Sequence, residues 1–131
     1  VIGPAAAAAA GRRYAEAGMT DTCLITYASG VHTDPLTGQV TEQRITRYSG
    51  RCRMQQAQPQ GRRGAVGQVP VVVLELQLQL PVTGTEQVAA GDQVVITASG
   101  DAGLLGRTWR VRDLTHKSHL TSRRLMLEEI T

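Results

Sequence analysis

The sequence predicts an all-β fold: a small antiparallel β-barrel or sandwich of six to seven strands, with an N-terminal Ala-rich helix and a long flexible loop. Three observations lead there. The closing stretch Gly106–Thr131 contains two segments that alternate at period two, Trp109 and Val111 against Arg110 and Arg112, then Leu125 and Leu127 against Met126 and Glu128. Such alternation marks a strand with one buried face. The run PVVVLELQLQLP repeats the pattern, with Val72, Leu74, Leu76, Leu78 and Leu80 on the core face and Glu75, Gln77 and Gln79 on the outer one. The composition supplies no Phe, one Trp and three Tyr, so Val, Leu and Ile must fill the interior of a single modest core.

Taken in order, residues 1–19 form a helical arm and 20–131 the β domain. Pro4 suits a first helical turn, and Ala5–Ala10 is the best helix-forming composition. Gly18 offers a left-handed terminating position and Gly11 weakens the middle. A face made of Ala buries little area, so the helix cannot dock strongly by itself; it is frayed or held by a partner.

From Thr20 the pattern turns to strands. TDTCLITY sets Cys23, Ile25 and Tyr27 on one face, and Asp34-Pro35 with Gly38 encodes a tight reversal. Val40–Tyr48 is mostly Thr, Gln, Glu and Arg, which predicts a solvated, protruding ribbon or an edge together with its predecessor. Next, GRCRMQ turns Cys52 and Met54 inward and Arg51 and Arg53 outward. Gln56–Val69 has three Gly, one Pro and no period, a loop of a length that is usually functional or disordered. GDQVVITA is a short strand entered through a Gly-Asp turn, and SGDAGLLG a Gly-rich connection. Between the last two strands lies HKSHLTSRR, polar and basic, without Gly or Pro.

The net charge is +3, built from thirteen Arg and one Lys against eleven acidic residues. Arg makes planar bidentate contacts with carboxylates and phosphates, which suits ion-paired interfaces or a surface facing nucleic acid. A charge of +3 does not by itself make a nucleic-acid binder. If their strands are neighbours, Arg51, Arg53, Arg110 and Arg112 form a basic stripe; the alternative is a solvated face paired with Glu. Interleaved aromatics, which a single-strand binder uses for stacking, are almost lacking. Cys23 and Cys52 read as buried thiols in a reducing compartment or as a disulfide between neighbouring strands. No segment has the length of a membrane span, and the short Ala run without a basic lead does not resemble a signal peptide.

The chain offers no catalytic constellation. His116 and His119 make an H-x-x-H pair without a third ligand, whereas catalytic zinc needs three protein ligands and structural zinc four. His32 has no partner in sequence. Gly100, Gly103 and Gly106 lack the context and ending of a phosphate loop, and no nucleophile elbow is present. Glu128 and Glu129, adjacent on a strand, face opposite ways. The expectation is no enzyme activity, no metal and no cofactor.

The order of these segments resembles a known group. RRYAEAGMTDTCLITY, TDPLTGQVTEQ, YSGRCRMQ, LELQLQLPV, AAGDQVVITA and GRTWRVRDLTHKSHLTSRRLMLEEIT follow one another as in the head-to-tail stopper (head-closure) proteins of long-tailed bacteriophages, in particular the short family of actinobacterial phages. The similarity covers nearly the whole chain from Arg12. It implies a virion neck protein made in the host bacterial cytoplasm, a ring homo-oligomer of hexamer or dodecamer type. Its partners would be the portal-adaptor (head-completion) protein, the tail terminator or tail-tube protein, and double-stranded DNA passing through the channel without sequence-specific contact. Such a ring retains the packaged genome and docks the tail. Within it, the loop 56–69, with Gly61, Arg62, Arg63 and Gly64 at its centre, is the expected channel-facing, DNA-facing element, a disordered surface loop being the alternative. The competing functional reading is a small β-barrel whose main activity is binding nucleic acid.

Overall fold

Asp21–Thr33 (β1) and Val40–Gln56 (β2) form a long hairpin that both contributes two staves to a closed barrel and projects beyond it. The computed structural model describes residues 3–56, 76–116 and 120–130. Within them lie one α-helix, Pro4–Ala17 (α1), a 3-10 turn at Ala102–Leu104, and six strands, the remaining four being Leu76–Leu80 (β3), Gln93–Ala98 (β4), Thr108–Leu114 (β5) and Arg123–Ile130 (β6). The barrel runs β1-β2-β3-β6-β5-β4 and back to β1, with every neighbouring pair antiparallel. This is the all-β class with an N-terminal helix that the alternating patterns predict.

The core is aliphatic, as the composition requires. Ile25, Leu78, Leu80, Val94, Ile96, Val111, Leu125 and Leu127 surround Trp109, which is fully buried, and Cys23 and Cys52 join them. These residues fall on the inward parity of their strands, while Arg51, Arg53, Arg110 and Arg112 are exposed on the other. The cross-strand register sets Val94 opposite Trp109 and Val111 opposite Leu127, so alternate positions on adjacent strands fill one interior. Leu76, at the beginning of the described part of β3, is only half-buried. Val72 and Leu74 lie outside the described residues.

Three local expectations are corrected. Gly18 does not take the left-handed region: at φ −84° and ψ −5° it continues the right-handed turn, and its amide donates back to Ala15 O at 3.1 Å. The turn closes with Met19 N donating to Glu16 O at 3.0 Å, and the Met19 side chain is buried, so an apolar anchor ends the helix instead of a positive φ. Gln79, on the outer parity of β3, is buried, its amide donating to Gln55 Oε1 at 2.9 Å. It stands beside Arg53 on one side and Arg124 on the other. The end of α1 reaches the same region, a Cβ at Gly18 falling 3.8 Å from Arg53 Nη1. Finally, Arg123 and Arg124 belong to β6 and not to the basic connection, and Arg123, on the inward parity with Leu125 and Leu127, is buried.

Helix α1 buries little, as its Ala face implies: Ala8 is its only buried residue. It is held on the barrel by polar and close contacts. Arg12 Nε donates to Leu120 O at 2.7 Å, and Glu16 Oε2 lies 4.0 Å from Arg51 Nη2. Gly11 faces Thr121 so closely that a Cβ there would fall 2.6 Å from Thr121 Cγ2. The residue that weakens the helix in isolation is the one that permits its approach to the barrel.

Candidate interaction surface

The β1–β2 hairpin is built as two regions with different environments. Near the barrel, Cys23 stands opposite Gly50 and Ile25 opposite Tyr48, and β1 pairs β4 on its other side from Thr22 to Thr26. Register shifts between Ile25 and Thr26 and between Ala28 and Gly30 then interrupt the ladder. Such bulges bend a strand pair and increase its twist, which directs the distal ribbon away from the barrel wall. Beyond them Val31, Leu36 and Val40 are exposed at 68%, 94% and 62%. The solvated, protruding ribbon expected from Val40–Tyr48 is therefore present, and it carries apolar side chains in water.

The reversal at its tip follows the sequence signals. Asp34 N donates to Gln39 O and Gly38 N to Asp34 O, each at 2.8 Å, with Gly38 at φ +71°. The Asp34 carboxylate accepts from Leu36 N at 2.9 Å. That backbone hydrogen bond, followed by the Thr37 hydroxyl, holds Asp34 below the ordinary carboxylate value.

At the ribbon's base Arg47 lies over the Tyr27 ring at 3.8 Å, with its Nε 3.2 Å from Asp92 Oδ2. Asp92 is buried and also accepts from Ala89 N at 2.9 Å. The Arg47 Nε is at ion-pair distance but is not aligned for a hydrogen bond. We regard the contact as a buried charge pair that ties β2 to the turn before β4, with the ring of Tyr27 as a third partner. Nothing in the local pattern singles out Asp92; its Gly-Asp position reads as turn chemistry, and its partner Arg47 is distant in sequence.

A buried cation, Arg123, lies in another part of the barrel. Arg123 Nε donates to Thr85 Oγ1 at 2.9 Å, and its Nη1 lies 3.2 Å from His116 Nδ1. The Thr85 hydroxyl in turn donates to Pro81 O at 2.6 Å. Backbone amides at Glu86 and Gly84, assisted by the Arg123 charge, hold Glu86 below the ordinary carboxylate value. His116 thus serves as a hydrogen-bond partner of a structural Arg, while His119 lies outside the described residues. Among the described residues, no group of three or more His, Cys, Asp or Glu is placed to hold a metal.

The four exposed arginines are not brought together. Arg51 and Arg53 are on β2 and Arg110 and Arg112 on β5, and two strands separate β2 from β5 by either route around the barrel. Arg110 Nη1 lies 3.5 Å from Glu128 Oε1, Arg51 is near Glu16, and Arg112 is also engaged in an interaction. Two separate pairs, each with one ion-paired arginine, Arg51 and Arg110, replace the single stripe. Between the ribbon base and β5 lies an open cleft of about 320 Å³ lined by Glu42, Arg44, Gln93 and Arg110. Its cations are paired, Arg44 Nη1 with Glu42 Oε2 at 3.1 Å. Gly61, Arg62, Arg63 and Gly64 lie outside the described residues, as does the loop from Ala57 onward.

No helix among the described residues is long and apolar enough to cross a membrane. Residues 11–128 match a family of unknown function (DUF6093), and the chain belongs to that family. No curated protein matches it.

Proposed function

We propose that this chain is a structural virion protein of the head-to-tail stopper kind. It forms a ring between the portal-adaptor complex and the tail of a siphophage, completes the conduit for double-stranded DNA, helps retain the packaged genome and provides a docking surface for the tail. The observation that carries this reading is the ribbon: a small closed barrel extends a long two-stranded arm whose exposed side chains include Val31, Leu36 and Val40. Exposed apolar groups grouped in this way mark interaction surfaces. The ordered resemblance from Arg12 onward gives the surface its setting. Ion-paired arginines divided between two sides of the barrel favour contacts with neighbouring subunits over a continuous track for nucleic acid. In this role the chain has no enzymatic activity and no cofactor.

The test uses heads that carry the portal-adaptor complex but lack this protein. Added purified chain is expected to assemble as a ring on the connector and to slow loss of packaged DNA. Failure to assemble there, together with tight, steeply salt-dependent binding of DNA by the monomer, would overturn the reading in favour of a nucleic-acid-binding barrel.

A further inference from the structure

The distal ribbon has two outer edges that no strand among the described residues pairs. On β1 the pairing to β4 ends at Thr26, while the pairing to β2 continues to Thr33. On β2 the pairing to β3 begins only at Arg53. Residues Gly30–Thr33 and Val40–Gln43 therefore make a ladder of uninterrupted pairs, Gly30 with Gln43 through Thr33 with Val40, whose outer edges no other described residue pairs. An open, apolar edge is a template for another strand, and proteins that do not use such edges block them with charges, proline or bulges. Here the bulges lie at the base of the ribbon and leave these pairs unprotected.

We propose that the ribbon is a self-assembly device. The outer edge of Gly30–Thr33 in one copy pairs, antiparallel, with the outer edge of Val40–Gln43 in a second copy of this chain. The reason for naming a second copy is in the intramolecular ladder: these two sequences already pair with each other. Successive residues of a strand direct their amides and carbonyls to opposite sides, so the outward-directed groups can repeat the same register with the next copy. His32 then stands opposite Thr41 of the next copy, and Val31 and the next Val40 become diagonal neighbours on one face. Glu42 is the only carboxylate in the ladder, and it contains neither Lys nor Arg, so no like charges meet. The two edges differ, which makes the contact heterologous, and heterologous contacts close into rings or continue as filaments. The inference rests on the stopper reading only in taking the closed ring as the end state.

The test is directed cross-linking in otherwise unaltered protein, whose own cysteines are buried. His32→Cys and Thr41→Cys chains are purified separately, mixed and oxidised. The expected product is a covalent dimer of one chain of each kind, formed in the mixture and lacking in either preparation alone. A His32→Cys chain that cross-links to itself instead would show an isologous contact and overturn the proposal. So would a wild-type chain that sediments as a monomer at millimolar concentration. Val31→Lys and Val40→Lys, both at exposed positions, keep the circular dichroism of the wild type and lose self-association at least tenfold; unchanged association would also overturn it. These outcomes separate the inference from the functional reading. Edge pairing in solution without any effect on heads sinks the stopper alone, whereas Val31→Lys rings that form normally on the connector sink the edge pairing alone.

Discussion

Cys23 and Cys52 are diagonal neighbours on the inner face of the β1–β2 ladder, Cys23 opposite Gly50 and Cys52 opposite Asp21. Both are buried and free. The neighbouring Cys52 thiol, then burial, push the Cys23 thiol well above its ordinary range, and a protonated thiol shielded from solvent is a poor nucleophile. In the folded protein neither cysteine should react with a disulfide reagent on the time scale of minutes, and both should react once the chain is unfolded. Rapid modification of native protein, measured by mass, would show that the barrel opens at this ladder.

Trp109 is the largest fully buried side chain, and its Nε1–H has no hydrogen-bond partner among the described residues. Trp109→Ala should lower stability by about 3–5 kcal/mol, the range for deleting a large buried aromatic. Trp109→Phe leaves a smaller void and removes the unsatisfied donor, so its loss should be smaller, about 1–2 kcal/mol. Denaturant midpoints of the two variants check the order. Equal losses would mean that the indole nitrogen is satisfied and contributes to stability.

The contact between Gly11 and Thr121 makes a paired prediction. Gly11→Ala alone should weaken the docking of α1, because the new Cβ would sit 2.6 Å from Thr121 Cγ2. Thr121→Ser removes that methyl. The double variant should recover docking and gain the helix propensity of Ala over Gly, about 1 kcal/mol. Protection of the α1 amides in hydrogen exchange reads both outcomes, and additive effects of the two substitutions would deny the contact.

Tyr48 gives the fold a dependence on high pH. Its hydroxyl donates to Arg51 O at 2.6 Å, and burial, with Cys23 and Cys52 next in order, pushes its phenol up from 10.0 to about 12. Because the folded value is raised, the protonated form is the one favoured by folding. The stability it contributes is complete below the ordinary tyrosine range and is lost as pH rises towards about 12. A phenolate absorbance band with its midpoint near 12, abolished by Tyr48→Phe, is expected.

The parts of this architecture that depend on short-range alternation were legible. Trp109, Val111, Leu125 and Leu127 point inward because period two assigns them to one face, and the turn at Asp34–Gly38 follows from residue chemistry. What could not be read was set by pairings between distant segments. The position of Arg51 relative to Arg110 depends on the strand order, which no local pattern encodes. Arg123 lies on the inward parity of β6, yet a charged residue at that position reads as solvated until Thr85 and His116 are known to meet it. Gln79 is buried for a similar reason: its outer face is covered from outside its own strand.

The order of strands around the barrel also bears on how the molecule is made. The β1–β2, β2–β3, β4–β5 and β5–β6 pairs join strands that follow one another in the chain, whereas β3–β6 and, more remotely, the β1–β4 seam, which brings Cys23 to Ile96, do not. Loop-closure entropy must be overcome before such a remote pairing is rewarded, so this seam belongs to the late, slow part of folding. Until it closes, the Thr22–Thr26 edge of β1 is as open as the edges of the distal ribbon. A nascent chain therefore presents the wrong edge beside the right one, and the speed of barrel closure sets how often neighbouring copies join correctly.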